Sequence, residues 1–163
     1  MSIQFNADEV FEMAVEIERN GAKFYRKAAA GVPEEKARRE LLDLAAMEDS
    51  HERVFAAMRE GLSATDRKVM TADPQNEEAL YLEAMVDGKV FARDADPSAQ
   101  LTGKESLAEI LRTAIGLEKD SIVFYVGMEE AVPERMGKEK IGRIIKEEMR
   151  HVTQLSSRLA ALG

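Results

Sequence analysis

The sequence predicts an all-α chain: a four-helix bundle made of two duplicated helical hairpins, joined by a long crossover that contains one short helix. Three observations carry this expectation. Apolar residues recur at three-to-four spacing in four long stretches, and no strand alternation competes with them. Val32-Pro33 and Val132-Pro133 break the stretches at matching places. Finally, the chain repeats itself without gaps at an offset of one hundred residues.

Phe5-Asn6-Ala7-Asp8-Glu9-Val10 predicts a helix start, with Asn6 as N-cap, Glu9 completing a capping box, and Phe5 and Val10 placed as a hydrophobic staple. Val10, Phe11, Ala14, Ile17, Phe24 and Ala28 continue the apolar stripe until Gly31, Val32 and Pro33 stop it. A second helix is expected from Pro33 or Glu34 to about Gly61, carrying Leu41, Leu44, Ala45, Glu48, His51, Phe55 and Met58. Residues 62–103 break the pattern with Pro74, Gly88, Pro97 and Gly103, around one short helix near Asn76 to Val86. That stretch is too long for a tight turn and suits a crossover running back along the bundle. Thr102 and Glu105 read as a second capping box, opening a third helix to about Ala131. After Pro133 a fourth helix ends near Leu162, and Gly21, Gly116, Gly127 and Gly142 read as close helix contacts.

Composition narrows the function. With 163 residues, 45% of them hydrophobic and 33% charged, residues 1–163 read as one globular domain with 62–103 as its connection. The 31 acids outnumber the 23 bases for a net charge of −8, which argues against a nucleic-acid partner. The opening MSIQFNADEV lacks the basic start and apolar run of a signal peptide. No apolar stretch approaches the roughly 20 residues that span a bilayer. A cytoplasmic protein without a membrane partner is expected. With no cysteine, disulfides, thiolate zinc sites and iron-sulfur clusters are excluded, so any metal must be held by His and carboxylate.

Between 14 and 51 the repeat gives nine identities in 38 positions, too few to persuade by number. Their chemistry is more telling. The offset takes Glu18 to Glu118, Phe24 and Tyr25 to Phe124 and Tyr125, Glu48 to Glu148 and His51 to His151. The chain has only 2 histidines, and each lies three residues after a glutamate at matched places. Stacked helical hairpins repeat packing residues for core reasons alone, which accounts for Ala14, Phe24 and the Val-Pro pair. It does not account for glutamate on an apolar face, because an unpaired buried carboxylate is expensive. Tyr25, two turns after Glu18, indicates that Glu18 points inward, and Glu48 and His51 share a face with Leu41, Leu44 and Phe55.

Two such hairpins packed face to face present four glutamates and two histidines around one centre. A Glu from each of two helices and Glu-x-x-His from each of the other two is the ligand set of a paired-metal four-helix bundle. Glu48 and Glu148 are the natural bridging ligands; Glu18 with His51 and Glu118 with His151 would be terminal ones. Oxygen-rich sites with one imidazole per metal suit iron or manganese better than zinc or copper. Tyr25 and Tyr125 could hydrogen-bond the carboxylates from behind, or be ordinary buried tyrosines. The methionines, such as Met13, Met47, Met58 and Met149, read as core filler.

EIERNGAKFY, EDSH, GLEKDSIVFY and EMRH together resemble the rubrerythrin-like branch of the ferritin-like superfamily, over essentially the whole chain. YLEAMVDGKVF at 81–91 resembles the connection in its short members. The resemblance implies a ferritin-like fold and a centre of two Fe ions on Glu18, Glu48, His51, Glu118, Glu148 and His151. It further implies reduction of hydrogen peroxide or dioxygen, and a homodimer. Full-length rubrerythrins carry a cysteine-ligated rubredoxin domain; without cysteine, this chain would need an external electron-donor protein. The family's extra carboxylate, to which peroxidase behaviour is tied, is replaced by Ser121, with Gly21 at the matching place. In ligand count the site is thus similar to bacterioferritin and manganese-catalase centres, which keeps an iron-handling ferroxidase and a di-manganese centre as alternatives.

Overall fold

The computed structural model describes residues 6–68, 77–87 and 96–163, and among them every regular element is helical. The helices are α1 (Ala7–Gly31), α2 (Glu35–Glu60), a short α3 (Glu77–Asp87), α4 (Leu107–Ala131) and α5 (Lys138–Ala161). At the start of α1 the Asn6 side chain accepts from the Glu9 amide at 3.0 Å, and the Glu9 carboxylate accepts from the Asn6 amide at 2.9 Å. Phe5, the other half of the expected staple, lies outside the described residues, as do Asn76 and positions 88–91 of the connection. Val32 is extended, at φ −95° and ψ 120°, as a residue before proline is driven to be, and α2 begins three residues later.

The start of α4 corrects the sequence reading. Thr102 and Glu105 do bond, but the Glu105 carboxylate reaches back to the Thr102 hydroxyl at 2.7 Å and the Gly103 amide at 3.0 Å, closing a turn ahead of the helix. Gly103 sits at φ 83°, a left-handed conformation that no helix can run through. The working box is one turn later, where the Ser106 hydroxyl accepts from the Glu109 amide at 3.2 Å and Glu109 answers at 2.7 Å. The second hairpin also turns differently from the first: a 3-10 turn, Glu134–Met136, and Gly137 at φ 92° precede α5.

Each pair α1 with α2 and α4 with α5 packs along its length as a hairpin. The core falls into two clusters. One joins the first half of α1 and the end of α2 to the end of α4 and the start of α5, through Phe11, Phe55, Phe124, Met128 and Ile141. The other joins the opposite halves, through Phe24, Leu41, Leu44, Ile110, Leu111 and Leu155. Phe24 and Phe124 occupy matching places on opposite sides, and each contributes about 1.5–3 kcal/mol by leaving water. Arg158, near the end of α5, donates to Glu34 at 2.6 Å and so fixes the start of α2 against it. Short α3 lies on α4, where the Tyr81 hydroxyl donates to the Val123 carbonyl at 3.0 Å. Between the two apolar clusters lies a polar layer.

Candidate metal centre

The polar layer is built from the middles of the four long helices. α1 supplies Glu18, α2 Glu48 and His51, α4 Glu118, and α5 Glu148 and His151, all of them buried. All six side chains singled out by the repeat therefore meet in one place. Both imidazoles present Nδ1 to the carboxylates, and the rings stack with centroids 5.9 Å apart. Glu148 serves both: Oε1 is 2.7 Å from His51 Nδ1, and Oε2 is 2.8 Å from His151 Nδ1. Glu18 Oε2 stands 3.5 Å from His51 Nδ1, while Glu48 Oε1 and Glu118 Oε1 both stand 3.6 Å from His151 Nδ1.

Ligand atoms fall into two overlapping groups, Glu18, Glu48, His51 and Glu148, and Glu48, Glu118, Glu148 and His151. Within each group one atom per residue lies within 4.8 Å of the others, a spacing one ion can span. Glu48 and Glu148 belong to both. Among the described residues, buried Glu18 Oε2, Glu48 Oε1, His51 Nδ1 and Glu148 Oε1 have no hydrogen-bond partner, one atom from each residue of the first group. The close approach of His51 Nδ1 to Glu148 lacks hydrogen-bond alignment. Orphaned buried polar atoms are costly, and four converging on one another are what a cation would satisfy.

The two tyrosines cross between halves. Tyr25 donates to Glu118 Oε1 and Tyr125 donates to Glu18 Oε1, each reaching the glutamate of the other hairpin. Burial, and then the charge of the glutamate it faces, pushes each tyrosine well above its ordinary range, so both hydroxyls keep their protons. Burial pushes Glu18 and Glu48 up as well, and Glu118 to about 8. Burial works against charge on His51, but the facing carboxylates of Glu148 and Glu18 outweigh it and hold the imidazole up to about 11. Glu118 and Glu148 likewise lift His151, against its burial, to about 9. Burial would raise Glu148, yet its two histidine partners bring it down to about 2. Without metal, protons hold together a layer that two cations would otherwise neutralise.

Three features of the site were not evident from the repeat. His51 Nε2 pairs with Glu147 Oε2 at 2.6 Å, although a glutamate beside a ligand position reads as part of a solvent face. The signal available was the exchange Met47 for Glu147 between halves. Gly21 is the second: a Cβ there would stand 2.6 Å from Glu48 Oε2, so the space of the missing side chain is taken by that carboxylate. The added atom would also crowd side chains at Gly127 and Gly142, whereas among the described residues nothing lies near one at Gly116, which is not a close contact. Third, the Ser121 hydroxyl turns back to the Leu117 carbonyl at 3.0 Å and adds nothing to the ligand layer.

No helix among the described residues is long and apolar enough to cross a membrane. The fold is similar to the crystal structure of a Thermotoga maritima protein that carries the provisional description of a ferritin-like diiron-carboxylate protein. The TM-score is 0.72 at 20% identity, over 98% of each chain. No curated protein matches the sequence. Residues 7–161 match the profile of the ferritin-like domain, nearly the full length, and the chain belongs to the ferritin-like domain family.

Proposed function

We propose that this is a non-haem di-iron carboxylate protein of the rubrerythrin-like kind, an oxidoreductase that reduces hydrogen peroxide or dioxygen with electrons from a separate donor protein. One observation carries the reading: four unpartnered ligand atoms converge in the buried layer, inside a wider set of four glutamates and two histidines. The oxygen-rich donor set fits iron, and manganese next. The Thermotoga maritima protein of the same fold is described as a diiron-carboxylate protein, which agrees with it. When bound, two iron ions would supply redox equivalents and Lewis acidity at the centre of the bundle.

The chain's own residues do the rest. Glu48 and Glu148 lie between the two groups and would hold both ions at a fixed separation, while Glu18 with His51 and Glu118 with His151 close the ends. Tyr25 and Tyr125 keep their protons and hydrogen-bond through them to Glu118 Oε1 and Glu18 Oε1, and the Glu18 Oε2 atom is left to ligate. Apolar clusters above and below keep bulk water out and strengthen each electrostatic contact within. Such a protein would work in the cytoplasm as a homodimer, with no nucleic-acid or membrane partner.

A second reading, an iron-handling ferroxidase, is favoured by one detail. Neither Gly21 nor Ser121 adds a carboxylate to the ligand layer. Anaerobic loading of the metal-free chain with Fe(II), followed by peroxide or air in turn, separates the readings. A ferric absorption band that bleaches again with reductant supports the oxidoreductase. Ferric iron retained in a cage-sized assembly supports iron handling. Well under two metals per chain sinks both.

A further inference from the structure

The geometry points to two metal positions of unequal affinity, with Glu147 the positioning residue that makes the His51 position the tighter one; this rests on the dimetal reading above. Within the layer the halves match, but behind the histidines they do not. His51 Nε2 and Glu147 Oε2 lie 2.6 Å apart, and an ionised carboxylate can only accept. The pairing therefore keeps a proton on Nε2, so that when an ion displaces the proton on Nδ1 it is the Nδ1 lone pair that faces the ion. It also fixes the plane of the ring. At the matching place behind His151 the first half has Met47, and among the described residues nothing bonds His151 Nε2.

A second observation points the same way. The four orphaned atoms of the layer come one each from Glu18, Glu48, His51 and Glu148. An ion entering there takes the place of the proton between His51 Nδ1 and Glu148 Oε1, 2.7 Å apart, and meets Glu18 and Glu48 oxygens that hold no hydrogen bond. On the other side, His151 Nδ1 is bonded to Glu148 Oε2 at 2.8 Å, and Glu118 stands 3.6 Å away. Filling either position displaces a proton from an imidazole Nδ1, and at His151 it also breaks an aligned hydrogen bond to Glu148. Glu147 is also half-exposed, its side chain 35% accessible beside a histidine that is 2% accessible, so it links the buried position to solvent. The His51 position is thus backed by a carboxylate and the His151 position is not.

The test is anaerobic titration of the metal-free full chain with Co(II), followed by calorimetry and visible absorption. Two steps of different affinity are expected in the native chain. Glu147→Leu should weaken the tighter step by about 10- to 100-fold and leave the other in place, the usual range for losing a carboxylate behind a ligating histidine. Glu147→Gln, which keeps an acceptor for Nε2, should restore much of it, with helix content unchanged in all variants. Met47→Glu should tighten the weaker step. Two equal steps in the native chain, Glu147→Leu weakening both steps alike, or Met47→Glu changing neither overturns the inference while the dimetal reading stands. Failure of the native chain to bind Co(II) at all overturns that reading and the inference with it.

Discussion

In the first hairpin α2 follows α1 after Val32, Pro33 and Glu34, whereas in the second a 3-10 turn and a left-handed Gly137 stand between α4 and α5. Glu18, Glu48 and His51 nevertheless meet Glu118, Glu148 and His151 in one layer. The turns can differ because they lie at the ends of the bundle, about three helical turns from the ligands. Differences close to the layer are fewer and more consequential: Gly21 against Ser121, and Met47 against Glu147. What is duplicated is the inward face of each hairpin; what has diverged is its backing.

The largest expected effect comes from breaking a shared ligand. Glu148→Ala should abolish stable binding of both metals, because its two oxygens face the two histidines, whereas Glu18→Ala should spare one metal per chain. Metal analysis after anaerobic loading decides it, and equal loss in the two variants would contradict the division into two groups.

Next in size is the pH response of the metal-free chain. His51 at about 11 and His151 at about 9 lie above the ordinary 6.5, so their stabilisation is complete below 6.5 and is lost as pH rises through those values. Glu118, raised from 4.5 to about 8, loses its contribution over that interval too. Glu148, lowered to about 2, contributes above 4.5 and fails only as pH falls below it. Stability should therefore decline steadily above roughly pH 5. Imidazole NMR should show His151 titrating before His51; a joint transition near 6.5 would erase the difference between halves. Metal requires neutral imidazoles and ionised carboxylates, so loading should release protons and tighten as pH rises.

The crossed tyrosines give a smaller, symmetric test. Tyr25→Phe and Tyr125→Phe each leave a buried glutamate oxygen without its donor, at about 1–3 kcal/mol apiece in metal-free thermal unfolding. Similar costs are expected, since the two contacts are copies of each other. Smallest is the pair at 21 and 121. Gly21→Ala should weaken metal binding about tenfold by displacing Glu48, without destabilising the metal-free chain, because alanine favours the helix by up to about 1 kcal/mol. Ser121→Ala should do neither, its hydroxyl being spent on its own helix.

Much of this was legible in the sequence because two kinds of information coincide there. Helical spacing sets the face on which Glu18, Glu48 and His51 lie, and the second copy puts an equal set opposite. The Asn6 and Glu9 box was readable for the same reason, its partners being local. Partner choice across the bundle was not. Spacing places Tyr25 on the face of Glu18 but cannot say that its hydroxyl passes its own glutamate and reaches Glu118. Thr102 with Glu105 and Ser106 with Glu109 share one pattern, and the backbone of Gly103 selects the later. Glu147 was hidden by its own exposure, since a carboxylate half in water looks like any other on a helix surface.

The crossing of the tyrosines has one more consequence. Tyr25 to Glu118 and Tyr125 to Glu18 is the reciprocal pairing found across a two-fold dimer, where residue i of one subunit meets j of the other and j meets i. Here the two partners are halves of a single polypeptide, tethered by the crossover, so their encounter does not depend on protein concentration. Neither hairpin holds all its contacts alone. Completion of the polar layer therefore reports that the two halves have docked, making it the clasp of an isologous interface enclosed within one chain.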